Sequence, residues 1–306
     1  MPRLASILLL ALVAGCASVQ RPAGAQVTLT SAGDPRVGTY VSSPWGFSTS
    51  SYWIEGPEGL ILIDTQFLPS EAEEFVSWAE QVTGKKALLA IVLHPNPDKF
   101  NGTHVLRKRG IRVVTSEQVR ALIPHVHEIR TASFYERYKP DYPTEVPLPD
   151  SFGPATTELS AGGVTVKAHV MGPGCSEAHV VVEYDGHLFP GDLVANNAHS
   201  WLEIGKTDEW LQRIDELKAL KPKWVHPGRG PSGSAGLLDA EHAYLERVIA
   251  EVAAEKPRGA PTEAALERIR SRILAAYPGL RFDVFLGIGL PAEWERQARA
   301  SGAAGR

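Results

Sequence analysis

The chain has 306 residues, 43% hydrophobic and 22% charged, with 31 Lys plus Arg against 35 Asp plus Glu for a formal charge of -4. Those proportions are those of a globular protein and exclude a disordered, collagen-like or polytopic membrane chain. Without a basic excess there is no electrostatic footprint for nucleic acid, so a nucleic-acid partner is not expected.

Residues 1–15 read as a signal peptide: Arg3, an apolar run from Ile7 to Val13, then Ala14-Gly15. The run is too short to span a bilayer, and small residues sit directly before Cys16. Val13-Ala14-Gly15-Cys16 resembles a bacterial lipobox, which predicts lipidation at Cys16, export, and membrane attachment in the cell envelope. A plain signal cleaved at a nearby Ala-x-Ala-like site is the alternative, and either sends the protein out of the cytoplasm. Residues 16–26 read as a flexible tether. With Cys16 acylated, Cys175 is the remaining thiol of two cysteines, so no intrachain disulfide is expected.

Past the tether, Val37 to Val41, Ser51 to Glu55 and Leu60 to Asp64 are short β-rich runs, the last two joined by a turn at Gly56-Pro57-Glu58-Gly59. Pro69-Ser70-Glu71 opens a helix with Ala72, Phe75, Val76 and Ala79 on one face, closed by Gly84. Leu88 to Leu93 reads as a buried strand. A helix over Gly102 to Arg109, a strand over Ile111 to Val114 and a helix capped by Ser116 follow. Pro124 to Pro149 holds five prolines and three tyrosines and reads as an irregular or helical insertion. Strands then resume at Val164 to Val170, His179 to Tyr184 and His187 to Phe189, before a helix over Asp208 to Leu220 and a strand over Trp224 to His226. Leu237 to Glu255 and Thr262 to Ala276 are helices separated by the Pro257 to Pro261 break, and the last six residues are expected to be disordered. The division is a domain over 27–235 and a helical extension over 236–306. Its β-then-α order, met twice, fits two sheets packed face to face with helices outside.

Four segments at strand ends carry the chemistry: His94-Pro95-Asn96-Pro97-Asp98-Lys99, Gly172-Pro173-Gly174-Cys175-Ser176, Phe189-Pro190-Gly191-Asp192 and His226-Pro227-Gly228-Arg229. Together with Leu62-Ile63-Asp64-Thr65 they resemble, in order and spacing over residues 37 to 235, the metallo-β-lactamase superfamily. That resemblance implies an αββα sandwich and a cleft holding one or two zinc ions. In the family the first segment reads His-x-His-x-Asp-His, and the later ones supply a His, an Asp and a His. His94, Asp98 and Asp192 keep ligand positions, whereas Asn96, Cys175 and Arg229 replace histidines and Lys99 stands at the sixth place of the first motif.

A guanidinium has no lone pair to offer a cation, so the Arg229 change is the most damaging. It also supplies the counter-charge that two buried carboxylates need, which predicts Arg229 in the space of the second zinc, paired with Asp98, Asp192 or both. A first zinc position built from His94, Asn96, Cys175 and Asp192 stays open as a mixed N, O, S set. Asp98, Lys99 and Arg229 are the candidate catalytic groups, and Asp64 is expected to orient the ligand loop. Cys175 reads either as a small buried filler or as a nucleophile with His179 or His94 as its base, and His226 as structural. Trp45 and Phe47 lie where related enzymes carry a flap over substrate; packing onto the sheet is the other reading. Two functions follow: a divergent hydrolase with one zinc that cleaves an ester, amide or thioester by an activated water, or a metal-free, non-catalytic protein binding a small-molecule ligand.

Overall fold

A computed structural model describes residues 24–303. The signal peptide, Cys16 and most of the tether lie outside them. The first sheet runs in sequence order: β1 (Gln26–Thr28), β2 (Val37–Val41), β3 (Ser50–Glu55), β4 (Leu60–Ile63), β5 (Ala87–Ile91), β6 (Arg112–Thr115) and β7 (Asp150–Ser151). Its first four strands are antiparallel and the rest add in parallel. The parallel additions need crossovers, and helices α1 (Pro69–Thr83), α2 (Pro97–Phe100), α3 (Thr103–Lys108) and α4 (Glu117–Tyr138) supply them. Pro69 opens α1 where no intrahelical donor is needed, and Gly84 closes it with a left-handed φ of 68°. Ser116 caps α4 by accepting the Val119 amide. The proline-rich insertion thus divides in two: α4 passes through Pro124 to Tyr138, and an irregular run follows.

The second sheet has the order β13-β12-β11-β10-β9-β8, from β8 (Thr157–Ala161), β9 (Val164–Met171), β10 (His179–Tyr184), β11 (His187–Ala195), β12 (Trp224–Arg229) and β13 (Gly233–Ser234). Alternation sets its two faces. Val180 and Val182 join the core shared with the first sheet, while Val181 between them joins a second core under α5 (Thr207–Ala219), α6 (Gly236–Ala254), α7 (Glu263–Ala276) and α8 (Val284–Ala303). Each such side chain, fully buried, contributes on the order of 1.5–3 kcal/mol. Sheet lies on sheet with helices outside, as the sequence predicts.

Three expectations are corrected. The strand placed at His187 to Phe189 runs on to Ala195, because register shifts against β12 absorb Pro190 and Gly191 instead of ending the ladder. The strand ending at His226 likewise reaches Arg229. The end expected to be disordered from Ser301 is helical to Ala303, since α8 buries Leu286, Leu290 and Trp294 against the second core. Residues 304–306 lie outside the described ones. Among the described residues, no helix is long and apolar enough to cross a membrane.

Candidate metal and ligand site

Strand ends of both sheets converge on one cleft. Asp64 leaves β4 at a φ of 63°, a left-handed turn that sends its carboxylate back under the loop after β5. There its Oδ1 accepts the Leu93 amide at 2.9 Å, fixing the backbone next to His94. Asp98 and Lys99 lie on the single turn of α2, Asp192 in the second half of β11, and Arg229 at the end of β12. Gly228 makes that approach possible: a Cβ there would stand 1.9 Å from Asp192 Oδ1.

Two fixed cations interleave with two carboxylates. Lys99 Nζ, fully buried, is 2.9 Å from Asp192 Oδ1, 3.2 Å from Asp98 Oδ2 and 3.8 Å from Asp64 Oδ2. Arg229 Nη2 is 2.9 Å from Asp98 Oδ2 and 3.6 Å from Asp192 Oδ2. Its Nη1 donates to the Phe47 carbonyl at 3.0 Å and the Thr49 hydroxyl at 3.1 Å, tying the second sheet to the first. Burial alone would drive every one of these groups toward its neutral form. The opposite charges win for four of them: Asp98 and Asp192 lie below the usual carboxylate range beside Lys99 and Arg229, and both cations are held above their ordinary values. Asp64 is the exception. Burial outweighs Lys99 there and pushes its carboxyl up to about 8.

Behind this ionic cluster lies a different set of donors. His94, Cys175 and His179 are three buried residues with ligand atoms within 4.8 Å of one another. Each imidazole is oriented through its other nitrogen: His94 Nδ1 meets Ser176 Oγ at 3.0 Å, and His179 Nδ1 donates to the Gly172 carbonyl at 3.0 Å. That leaves His179 Nε2 as an acceptor, taking the Ser176 amide at 3.3 Å and facing Cys175 Sγ at 3.2 Å. His94 Nε2 is buried without a hydrogen-bond partner and is 3.7 Å from Asp192 Oδ2. Burial lowers His94 to about 4 and His179 to about 3, and raises the Cys175 thiol well above its ordinary value. Such a protonated thiol, set away from the cavity, is a poor nucleophile.

The cavity above the ionic cluster has a volume of about 180 Å3. Asp98, Asp192 and Arg229 face it from below, with Asn96 and Pro97, while Phe47, Phe67, Phe134, Trp201, Phe285 and Ile288 are among its walls. Phe282 and Phe285 also stack on the Arg229 guanidinium, each 5.6 Å away. On one side Arg130 of α4 pairs through both guanidinium nitrogens with Glu203, which also accepts Trp201 Nε1–H at 3.0 Å. Phe47 lines the cavity, whereas Trp45 is half exposed and stacks on Tyr138 and Arg137.

The structure therefore brings Asp64, Asp98, Lys99, Asp192 and Arg229 together, and His94 beside Cys175. Asn96 lines the cavity. That residue begins α2 and is half buried. His179 stands with His94 and Cys175. The sequence signal for it is the Cys175-x-x-x-His179 spacing at the entrance to a strand, which by itself suggests only a base for the thiol. Arg130, Trp201 and the Phe282–Phe285 pair carried no motif. His226 is structural in its contacts, hydrogen-bonded to His187 at 2.9 Å and Ser232 at 2.8 Å.

A four-layered αββα sandwich with carboxylates and imidazoles gathered at its strand ends defines a metallo-β-lactamase-like protein. A family model for the metallo-beta-lactamase superfamily matches residues 44–229, and the chain belongs to that superfamily. It is similar to metallo-beta-lactamase type 2 of Bacillus cereus, 24% identical over 189 residues, or 59% of this chain and 66% of that protein. Metallo-beta-lactamase type 2 of Bacillus sp. (strain 170) is 23% identical over the same length and shares. The match thus spans just under two thirds of those relatives. A solved metallo-beta-lactamase from Pontibacter korlensis superposes with a TM-score of 0.55 at 22% identity, covering 72% of this chain and 99% of that one. The family fold supports a hydrolase role in general terms.

The family's zinc fits this chain unevenly. Between Asp98 and Asp192 the donors do not fit, because a guanidinium already pairs with both carboxylates and offers no lone pair. Around His94 they do: a buried imidazole nitrogen without a partner, a thiol and a second imidazole are the donor types zinc selects.

Proposed function

We propose that this chain is an exported, lipid-anchored protein that binds an apolar small molecule in the cleft, without the water bridged by two zinc ions on which paired-metal hydrolysis depends. The observation that carries the reading is Arg229. Its guanidinium lies between Asp98 and Asp192, where it and Lys99 balance both carboxylates. A carboxylate so paired sits far below neutrality and is a weak general base. The cavity over it is aromatic and aliphatic on its walls, with the ionic cluster confined to its floor. Such a site suits a ligand with an apolar body and one small polar group. The signal-like N-terminus and Cys16 support export and an acyl anchor that leaves the cleft in the envelope. The charge balance supports a small molecule over nucleic acid.

A second reading is favoured by the orphaned His94 nitrogen: hydrolysis of an ester, amide or thioester with one zinc. An ion there would be held by His94 and Cys175 and would supply Lewis-acid polarisation of a substrate carbonyl. The full chain, loaded with zinc and freed of excess, is offered chromogenic lactam, ester and thioester substrates, and its affinity for an apolar fluorescent anion such as anilinonaphthalene sulfonate is measured in parallel. The binding reading expects saturable probe binding that Trp201→Ala and Phe285→Ala weaken, and no turnover above the protein-free rate. Zinc-dependent turnover lost in His94→Ala would establish the hydrolase instead.

A further inference from the structure

We infer that the rim of the cleft is a membrane-contact surface: Trp45, Val284 and Ile288 seat on the lipid bilayer to which Cys16 is tethered, so that the cavity opens toward the membrane. The inference rests on the anchored reading above for its geometry, and its test separates the two.

Anchor and rim lie at the same edge of the molecule. Gly24, the first described residue, packs against Ser43: a Cβ on it would stand 3.3 Å from the Ser43 Cβ. Ser43 leads into the short helical turn Pro44–Gly46, which carries Trp45 and is followed by Phe47 on the cavity wall. Cys16 is eight residues before Gly24, and a chain of that length spans at most about 26–29 Å. An acyl group on Cys16 therefore holds the Ser43 edge of the cleft within that distance of the bilayer. A surface held so close is engaged even when its free affinity is low, because the contact is then intramolecular.

The rim has the chemistry that a bilayer surface takes. Single exposed apolar side chains need no explanation, but these three border one apolar cavity beside the anchor. Val284 is 62% exposed and Ile288 37%, one helical turn apart at the cavity mouth, whereas Leu286 and Leu290 of the same helix are buried. Trp45 is 49% exposed, and an amphipathic indole suits the headgroup level. The Arg137 guanidinium lies over the Trp45 and Tyr138 rings at 5.0 and 5.4 Å. Carboxylates close to these residues in sequence or around the cavity already have cations: Glu136 pairs with Lys139 at 2.8 Å, Asp283 with Arg270 at 2.6 Å, and Glu203 with Arg130. That leaves Arg137 to meet a lipid phosphate, so the rim fits an anionic membrane surface. An apolar ligand of the cavity partitions into the same bilayer, and a mouth seated there receives it without a passage through water.

The test takes the full chain, expressed with its own signal segment in a bacterial envelope, onto vesicles of phosphatidylethanolamine and phosphatidylglycerol in equal parts. The vesicles are prepared with and without bromine on the acyl chains, which quenches tryptophan at contact range. Trp45 emission is read as the difference between the wild type and Trp45→Phe. Bromination is expected to cut that difference by at least about 2-fold, and the pair Val284→Asp and Ile288→Asp to restore it while the acylated chain still sediments with the vesicles. The mass of the N-terminal peptide reports acylation separately. Quenching without the acyl mass upholds the surface and removes the anchor, whereas the acyl mass without quenching keeps the anchor and overturns the surface. Quenching that survives the Asp pair also overturns it, as does a Trp45 emission that shifts with protein concentration before vesicles are added, which assigns the rim to a second copy of the chain. Wild-type quenching decides the matter even where the Asp pair does not fold.

Discussion

The ionic cluster of Asp98, Lys99, Asp192 and Arg229 and the donor group of His94, Cys175 and His179 share one carboxylate, yet they solve burial in opposite ways. In the first, each buried charge meets an opposite one within 3.7 Å, and the family's metal-binding carboxylates are satisfied from within the chain. In the second, all three groups are neutral, and one nitrogen stays unsatisfied. The contrast teaches that losing one metal position need not empty its neighbour. Carboxylates accept a permanent organic cation in place of an inorganic one, whereas an inward imidazole lone pair gains nothing from a guanidinium already committed to four other acceptors.

The largest expected effect breaks the first region. Arg229→Met strips two buried carboxylates of a partner and should lower unfolding free energy by about 3–5 kcal/mol in urea titration, more than any single change among the three neutral donors. A loss under about 1 kcal/mol would mean that Lys99 alone balances the pair.

Gly228→Ala comes next. Its methyl would meet Asp192 Oδ1 at 1.9 Å, so either the strand ends part or Asp192 leaves Lys99. About 1–3 kcal/mol of destabilisation is expected, read by thermal unfolding. Unchanged stability would show that the cluster tolerates a looser fit.

The two regions also differ in how they respond to acid. His94 and His179 titrate near 4 and 3 when folded, against 6.5 unexposed to burial, so the unfolded chain takes up protons first and stability falls as pH drops from about 6.5. The depressed Asp98 and Asp192 contribute stability above the ordinary carboxylate range that is lost only at still lower pH, as they protonate in the folded state. Asp64 acts in reverse. Its folded value of about 8 means that its contribution is present at low pH and disappears as pH rises toward 8. Denaturation curves of Asp64→Asn should lack that decline, and a parallel decline in both proteins would remove Asp64 as its source.

The smallest effect belongs to the metal-free second region. Cys175→Ala deletes one buried thiol and should cost less than about 1.5 kcal/mol without metal. Added zinc should raise the melting temperature of the wild type and not of the variant. An equal rise in both would place the ion elsewhere.

Much of this was legible in the sequence. Strand periodicity gave the two sheets, and the motif order brought Asp64, His94, Asp98, Lys99, Asp192 and Arg229 together because strand ends of one fold face one cleft. The misses have physical causes. Gly287, Gly289 and Pro291 hide α8 from propensity, yet the helix forms because Leu286, Leu290 and Trp294 pack onto a preformed core. Pro190-Gly191 reads as a turn, but bulges carry the strand past it. His179 was obscured because a buried residue opening a strand looks like core, and only three dimensions set its Nε2 against Cys175.

A crystal of the full chain soaked in excess zinc, measured with anomalous diffraction at the zinc edge, tests the central claim most directly. The account predicts no peak between Asp98 and Asp192, where the Arg229 guanidinium remains. A full-occupancy peak between those two carboxylates, with Arg229 turned away, would contradict it.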